Sequence, residues 1–376
     1  MTVVVKLGSS LVAEEGRVRE AVLAARAAEV AAVVRGGERV CVVSSGAIAL
    51  GLARLGLSRR PRDTPRLQAA SALGQAQLQR AWDDTLRGHG LEAAQILLSA
   101  PDLAERASYV NARNALETLL KLGAVPVVNE NDATATDEIT FGDNDALAAQ
   151  VAVLVWARLL VLLTEVEGVY SEHPAAPSAR LLAEGELADE AAIGRASDLG
   201  KGGMASKIGA ARLAAAAGVT TVIASGLAEE VLVPIVAGER RGTTFAGAAA
   251  GGNAFKLWLR YAKPVAARIV VDDGARAAIV EQGRSLLAVG IVDCEGTFAA
   301  GDAVELAAPD GTVFAKGLAS VGSTEIEGRP RGVEVIHRDR LVLYAVGTGS
   351  DTGARVTAPS EADETSAAYF ARTPDA

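Results

Sequence analysis

Two lysines, each beside a glycine-containing turn, could hold a negatively charged group. Lys6 lies in KLGSS, near the predicted carboxyl end of the first strand, and Lys207 lies in GKGGMASK, in the first turn of a predicted helix. A third turn of this kind, SSGAIA, begins at Ser44. Backbone N–H groups at such turns can point at an anion. Because a lysine near a helix N-terminus is locally unfavourable, an anion between Lys6 and Lys207 would stabilise both.

A polar stretch, NENDATATDEITFGDND, occupies residues 129–145. Its composition is compatible with a metal cage, a pair of catalytic carboxylates or a polar loop with another purpose. The EF-hand spacing, with glycine at its sixth position and a closing glutamate, is missing, and no histidine or cysteine joins the acids. We therefore predict no metal site built by the protein in this stretch.

Histidine is nearly missing from the chain, which contains only His89, His173 and His337, all outside these segments. A kinase that phosphorylates a hydroxyl group usually needs a base to accept its proton. A glutamate side-chain carboxyl group in a short peptide has a pKa of about 4.3, so it is already ionised at neutral pH and needs no base. The P-loop pattern G-x-x-x-x-G-K-[ST] is absent, and no G-x-G-x-x-G opens a helix after the first strand. If the chain is a kinase, these features favour an acid as its substrate.

A framework of strands and helices must position these residues. In roughly the first 240 residues the apolar runs VVVKLG, RVCVVS, AAQILL, AVPVVN, RLLVLLT and VTTVIAS alternate with helical patterns. Strands that are apolar throughout and separated by helices indicate an α/β fold with a mostly parallel sheet sandwiched between helices. Ligands of such sheets bind beyond the carboxyl ends of the strands.

The residue composition and pattern of the chain change near Gly242, after which short β-type runs are separated by Gly and Asp turns. The sequence therefore predicts a second, small and β-rich domain. The predicted boundaries are an α/β domain over residues 1–250, a linker over 251–265, the β-rich domain over 266–360 and a polar tail over 361–376.

Charge and apolar patterning exclude several classes of function. With 37 Lys plus Arg against 46 Asp plus Glu, the net charge of −9 opposes binding to nucleic acid or anionic membranes. The most apolar segment, ALAAQVAVLVWARLLVLLT, is interrupted by Arg158 and is predicted to be a buried helix followed by a strand. The first residues form a strand pattern without an export signal, and Cys41 is expected to be a buried, reduced thiol, so we predict a cytoplasmic protein.

Six stretches of the chain closely resemble the glutamate 5-kinase family of the amino acid kinase superfamily. They occur in family order and spacing: VVKLGSS, VVSSGAIALG, YVNARN, VPVVNENDATATDEITFGDNDALAA, LLTEVEGVY and GKGGMASKIGAA. Residues 266–360, with RIVVDDGARAAI and GIVDCEGTFAAGDAVEL, resemble a PUA domain. The resemblance implies ATP-dependent phosphorylation of the γ-carboxylate of L-glutamate to L-glutamyl 5-phosphate, the first step of proline biosynthesis. It also implies Mg²⁺, carried mainly by the nucleotide phosphates.

The matching motifs imply catalytic roles for a few residues. Lys6 and Lys207 would brace the transferring phosphoryl group from two sides, while Gly8 and Gly46 would let backbone amides approach it. Positioning and charge stabilisation supply most of the catalysis in phosphoryl transfer. Asp145 would organise the two lysines.

The same motifs imply a glutamate site. Ser45, Asp132 and Asn144 would bind glutamate, with Asn129 nearby as a weaker candidate. An Asp suits the α-ammonium group of the substrate, whereas Ser and Asn donors suit a carboxylate. Asp143 is instead predicted to cap the N-terminus of the helix that follows it.

On the nucleotide side the resemblance implies Thr164, Glu165 and residues 201–207. That last run consists of Lys201, Gly202, Gly203, Met204, Ala205, Ser206 and Lys207. The family usually has Asp at the position of Glu165, so the contact of this residue to the base or sugar of the nucleotide is undecided. The family often has Thr at the position of Lys201, and Lys201 could add a contact to a phosphate.

Two alternatives remain at this point. Another acid kinase of the superfamily, for N-acetylglutamate or aspartate, would share the fold and the lysines, but the NENDATAT loop and the PUA-like region argue against it. RNA binding through the PUA-like region is disfavoured, because residues 265–360 contain nine basic and thirteen acidic side chains. The family further implies inhibition by proline, a homo-oligomer (dimer or tetramer) and hand-off of the product to glutamyl phosphate reductase.

Overall fold

A computed structural model of the chain describes residues 1–57, 59–134, 144–185, 203–248, 254–261 and 263–344.

The first domain is built on nine strands and nine helices of the described residues. The strands are β1 (Thr2–Leu7), β2 (Ala13–Glu14), β3 (Arg17–Val18), β4 (Arg39–Ser44), β5 (Ala93–Leu98), β6 (Val125–Glu130), β7 (Leu159–Thr164), β8 (Thr220–Ser225) and β9 (Thr243–Phe245). The helices are α1 (Ser9–Val12), α2 (Glu20–Arg35), α3 (Ala47–Arg54), α4 (Thr64–Arg87), α5 (Ala100–Ala104), α6 (Arg106–Lys121), α7 (Asp145–Leu154), α8 (Met204–Ala216) and α9 (Leu232–Val236).

Seven of these strands form one sheet in the order β5-β6-β4-β1-β7-β8-β9, and β2 pairs with β3 in a small hairpin. All neighbours in the large sheet are parallel except β9, which runs antiparallel to β8 at the edge. Helices cover both faces, so the central strands contain uninterrupted apolar runs, as in VVV of β1 and LLVLL of β7. The predicted α/β fold with a mostly parallel sheet is confirmed.

Helices α3 and α4 cross at two glycines. A Cβ on Gly51 would lie 1.7 Å from the carbonyl oxygen of Ala70, and one on Gly74 would lie 1.8 Å from that of Ala47. Neither position has room for a side chain, so the two backbones touch directly. This close approach holds α4 against the helix that follows the SSGAIA turn.

The second domain is β-rich. Its elements are α10 (Ala254–Tyr261), β10 (Val265–Val271), α11 (Asp273–Val280), β11 (Leu286–Leu287), β12 (Ile291–Glu295), β13 (Ala303–Ala307), β14 (Val313–Leu318), β15 (Glu334–Ile336) and β16 (Leu341–Leu343). A five-stranded sheet has the order β12-β10-β13-β14-β16, with only the β10–β13 pair parallel among the described strands, and β11 pairs with β15. Ile269, Leu306 and Ile336 are in its separate core.

Helix α10 joins the two domains, although the sequence suggested only a linker there. Its Trp258 is buried in the core of the first domain and donates an Nε1–H hydrogen bond of 2.9 Å to the carbonyl of Leu103. From the second domain, buried Lys316 donates to the carbonyls of Arg260 and Lys263 at the end of α10. The helix is thus held from both sides.

Two predictions about apolar segments can be compared with the structure. The segment ALAAQVAVLVWARLLVLLT forms α7 and β7, and no helix among the described residues is long and apolar enough to cross a membrane. Cys41 is a free, fully buried thiol on β4, and burial raises its pKa to about 12.

Candidate active site

A carboxylate joins two lysines at the carboxyl edge of the large sheet. Asp145 Oδ1 lies 2.6 Å from Lys6 Nζ, and Asp145 Oδ2 lies 3.0 Å from Lys207 Nζ. Asp145 is fully buried, and Lys6 and Lys207 are 2% and 8% exposed. The three groups carry a formal charge of +1, so this triad can still attract an anion.

Three different elements supply the triad. Lys6 is the next-to-last residue of β1, Asp145 is the first residue of α7, and Lys207 lies in the first turn of α8. An acid is favourable at a helix N-terminus and a lysine is not. Asp145 therefore sits where the α7 backbone stabilises its charge, and it compensates the unfavourable position of Lys207.

Two glycines lie just after the carboxyl ends of β1 and β4. A Cβ on Gly8 would lie 3.8 Å from Lys6 Nζ, so the chain after β1 passes directly beside this ammonium group. Gly46 precedes α3 with φ of +115°, and a Cβ there would lie 2.9 Å from Val12 Cγ1. The left-handed conformation and the lack of space both require glycine at position 46.

The predicted glutamate-site residues lie around the carboxyl ends of β4 and β6. Asn144 Nδ2 donates to the backbone carbonyl of Ser44 (3.2 Å) and to Asn129 Oδ1 (2.6 Å). Ser45 is buried, and its Oγ has no hydrogen-bond partner among the described residues. The structure therefore brings Asn129, Asn144 and Ser45 together, but it uses both amide hydrogens of Asn144 within the protein.

Asp132 lies a short distance along the loop after β6. Its Oδ2 accepts a 2.5 Å hydrogen bond from Ser71 Oγ, while its buried Oδ1 has no hydrogen-bond partner among the described residues. Burial raises the pKa of Asp132, and this rise is opposed by the Ser71 hydrogen bond and the positive charge of Arg60. A buried carboxylate with a free oxygen is suited to an ammonium group.

The predicted nucleotide side lies on the other half of the same edge. Thr164 ends β7, and its carbonyl accepts the N–H of Gly226, which follows β8. Glu165 is half exposed and lies 3.9 Å from the guanidinium group of Arg19. Gly203 occupies the N-cap position of α8, and Met204, Ala205 and Ser206 form its first turn with Lys207.

A buried ion pair anchors the loop after β8. Arg26 and Glu29 of α2 lie 3.0 Å apart, and Arg26 donates to the carbonyls of Gly226 and Ala228. Glu29 accepts the N–H groups at the start of α9. These bonds fix the backbone beside Thr164 without using a residue that faces the lysines.

Residues 1–225 match the amino acid kinase family, and residues 267–340 match the PUA domain. Proteins named glutamate 5-kinase from Burkholderia cenocepacia, Burkholderia multivorans and Burkholderia vietnamiensis are each 43% identical to this chain over 360 residues. The matched region covers 90% of this chain and 97% of each relative.

The chain belongs to the glutamate 5-kinase family. Both the resemblance to this family and the expected PUA domain are confirmed.

Three residues with predicted roles lie outside the described residues. These are Asp143, Lys201 and Gly202. The N-cap position of α7, which we expected Asp143 to fill, is occupied by Asn144, whose side chain makes no capping hydrogen bond. The side-chain amide of Asn144 instead donates to the carbonyl of Ser44 and to Asn129 Oδ1.

The sequence analysis missed the contribution of α4. Ser71, Gln75 and Trp82 lie on its buried face, and they bond to Asp132, Asn129 and Ser44 respectively. A signal was present, because Ser71 and Gln75 are four residues apart among the apolar positions Leu67, Ala70 and Leu78. Polar residues on an otherwise apolar helical stripe need partners, and here the partners are the site loops.

Proposed function

We propose that the chain transfers the γ-phosphoryl group of ATP to the side-chain carboxylate of L-glutamate, producing L-glutamyl 5-phosphate and ADP at the start of proline biosynthesis. The observation that carries this proposal is the buried triad of Lys6, Asp145 and Lys207 at the carboxyl edge of the sheet. The triad lies beside a group of buried polar side chains with free hydrogen-bonding atoms. The 43% identity to proteins named glutamate 5-kinase supports the choice of substrate.

The reaction needs positioning and positive charge more than proton transfer. A carboxylate oxygen of glutamate forms a bond to the γ-phosphorus as the bond from that phosphorus to the β-γ bridging oxygen breaks, and ADP leaves with the electron pair. Lys6 and Lys207 offset the negative charge on the transferring group, and Asp145 holds both ammonium groups in place. The backbone beside Gly8 approaches the same point.

The two halves of the sheet edge divide the substrates between them. Asp132, Ser45 and Asn144 hold glutamate on the side of β4 and β6 through their free oxygen atoms, and Asn129, which is bonded to Asn144, lies nearby. ATP lies on the side of β7 and β8, contacted by Thr164, Glu165 and residues 201–207. This arrangement points the side-chain carboxylate of glutamate at the lysines between the two halves.

Mg²⁺ accompanies ATP in this proposal. Among the described residues, no group of three or more His, Cys, Asp or Glu side chains could hold a metal ion, and the carboxylate of Asp145 is engaged by two lysines. We therefore assign the cation to the phosphate oxygens of ATP, where it neutralises part of their charge.

Trapping of the acyl phosphate tests this function directly. The chain is incubated with ATP, Mg²⁺ and hydroxylamine together with glutamate, N-acetylglutamate or aspartate in separate reactions. We expect a hydroxamate only with glutamate. Turnover of aspartate or N-acetylglutamate, with none of glutamate, would refute the proposed substrate.

Regulation and assembly extend the proposal. The polar stretch 129–145 contains the proposed glutamate-binding residues Asn129, Asp132 and Asn144, and it motivates the proposal that proline inhibits the enzyme. This proposal fails if saturating proline leaves the rate at low glutamate unchanged. We also propose a homo-oligomer, which light scattering would refute by showing only monomers at working concentration. Because the product is a reactive acyl phosphate, we propose that it is handed directly to glutamyl phosphate reductase. We also propose a cytoplasmic location, with which the free thiol of Cys41 is consistent.

A further inference from the structure

Three side-chain amides form a chain of hydrogen bonds across the candidate glutamate site. Asn144 Nδ2 donates to Asn129 Oδ1 over 2.6 Å, and Asn129 Nδ2 donates to Gln75 Oε1 over 2.7 Å. Asn144, Asn129 and Gln75 are 1%, 3% and 9% exposed. This amide relay runs from the residue next to Asp145 to the middle of α4.

The direction of the amide relay is set by one backbone group. Asn144 Nδ2 also donates to the carbonyl oxygen of Ser44 over 3.2 Å, and a carbonyl oxygen can only accept. Asn144 must therefore turn its NH₂ group, and not its oxygen, towards Ser44 and Asn129. Asn129 then accepts from Asn144 and donates onwards, so Gln75 must present its oxygen to Asn129.

This direction determines which atoms remain free at the two ends. Asn144 Oδ1, an acceptor, and Gln75 Nε2, a donor, are buried and have no hydrogen-bond partner among the described residues beyond the relay itself. Leaving a buried polar atom without a partner costs about 1–3 kcal/mol. The free Gln75 Nε2 therefore suggests that an acceptor occupies this position when a substrate binds.

Gln75 also faces the cleft that contains Asp132. Gln75, Ser71 and Asp132 line a common cleft, and Ser71 lies one helical turn before Gln75 and donates to Asp132. The cleft thus presents a donor from Gln75 and an acceptor from Asp132 Oδ1. An α-amino acid head group, with one ammonium and one carboxylate, is complementary to this pair.

We propose that Gln75 is a further substrate-binding residue and that its Nε2 donates to the α-carboxylate of glutamate, an assignment that rests on the function proposed above. Both amide hydrogens of Asn144 are used within the protein, so Asn144 cannot serve this carboxylate. The side-chain carboxylate of glutamate faces the triad, which adjoins the Asn144 end of the relay. The head group then falls at the opposite end, beside Gln75 and Asp132.

Two substitutions of Gln75 test the free donor. Gln75→Met removes the polar atoms at similar length, and we expect the KM for glutamate to rise about tenfold while kcat stays within about twofold. Gln75→Glu keeps an oxygen that accepts from Asn129, but it places a second carboxylate against the α-carboxylate of glutamate. We therefore expect the KM for glutamate to rise about 100-fold. The KM for ATP should not change in either variant. Gln77→Met, on the same helix but outside the relay, is the matched control.

Substrate analogues then identify the group that Gln75 contacts. Glutarate lacks the α-ammonium group and 4-aminobutyrate lacks the α-carboxylate, and both are measured as inhibitors against glutamate. We expect Gln75→Met to raise the inhibition constant of glutarate by the same factor as the KM for glutamate. The inhibition constant of 4-aminobutyrate should stay unchanged.

Two results would overturn the assignment. An unchanged KM for glutamate in both variants would show that Gln75 does not bind the substrate. If Gln75→Met raised the inhibition constant of 4-aminobutyrate as much as that of glutarate, Gln75 would act only through Asn129. Absence of hydroxamate formation from glutamate by the unsubstituted chain is a different outcome, because it refutes the proposed function regardless of Gln75.

Discussion

Replacing Asp145 by Asn is the sharpest test of the triad, because it removes one negative charge without changing the shape of the side chain. At distances of 2.6 and 3.0 Å and an effective dielectric constant near 20, each lysine interacts with the carboxylate by about 6 kcal/mol before desolvation is subtracted. Breaking a buried ion pair by removing one partner costs about 3–5 kcal/mol in measured cases. The formal charge of the triad rises from +1 to +2.

The substitution should therefore affect stability and catalysis differently from substrate affinity. We expect Asp145→Asn to lower the free energy of unfolding by about 3–5 kcal/mol and kcat by about 100-fold or more, since the two ammonium groups lose their common anchor. The KM for ATP should stay the same or fall, because the added positive charge attracts phosphate.

Denaturant unfolding and hydroxamate kinetics measure these quantities on the same preparation. Lys207→Met is the comparison variant: it leaves Lys6 paired with Asp145, so it should lose kcat with a smaller loss of stability. An Asp145→Asn protein with an unchanged kcat would refute the role of the carboxylate as the organiser of the lysines. A raised KM for ATP with normal kcat would instead mean that Asp145 acts on nucleotide binding alone.

Three further predictions concern the crossing of the helices, the head-group site and the joint between the domains. Gly74→Ala should destabilise the protein by about 3 kcal/mol in denaturant unfolding, because its Cβ would lie 1.8 Å from the Ala47 carbonyl oxygen; Gly209→Ala, where a Cβ meets nothing within 4 Å, is the control. Asp132→Asn should raise the KM for glutamate by about 10- to 100-fold with little change in kcat. Since burial raises the pKa of Asp132, the wild-type KM should also climb as the pH falls through that raised value, whereas the Asn variant should show no such climb. Burial lowers the pKa of Lys316 from 10.5 to about 8, so between these values the unfolded chain binds more protons than the folded chain. Stability of the wild type relative to Lys316→Met should then increase by up to about 3 kcal/mol as the pH rises from 8 to 10.5. Circular dichroism during urea unfolding at several pH values measures this difference, and a difference that does not change with pH would show that folding does not lower the pKa of Lys316.

Much of the framework could be predicted because local pattern and global fold agree. Runs such as VVV of β1 and LLVLL of β7 are apolar at every position, which only a strand covered on both faces tolerates. The helix expected after Asp143 begins at Asp145, and Asn129, the first residue of the polar stretch, lies near the carboxyl end of β6, as a parallel sheet requires. Helix α10 was not predicted, because contacts with both domains stabilise it, such as those made by Trp258 and Lys316, and its own eight residues do not reveal these contacts.

The residue types of the site could be read from the sequence alone: two lysines beside glycine turns, a cluster of acids and amides, and no histidine in these segments. Motif resemblance named Lys6, Lys207 and Asp145, but their common contact depends on β1, α7 and α8 meeting, with Asp145 and Lys207 separated by 62 positions in the chain. The inward direction of the Asn144 amide and the position of Gln75 of α4 beside Asn129 became known from the three-dimensional structure. The physical reason is that hydrogen-bond direction depends on which groups meet, and a linear pattern of polar residues does not contain that information.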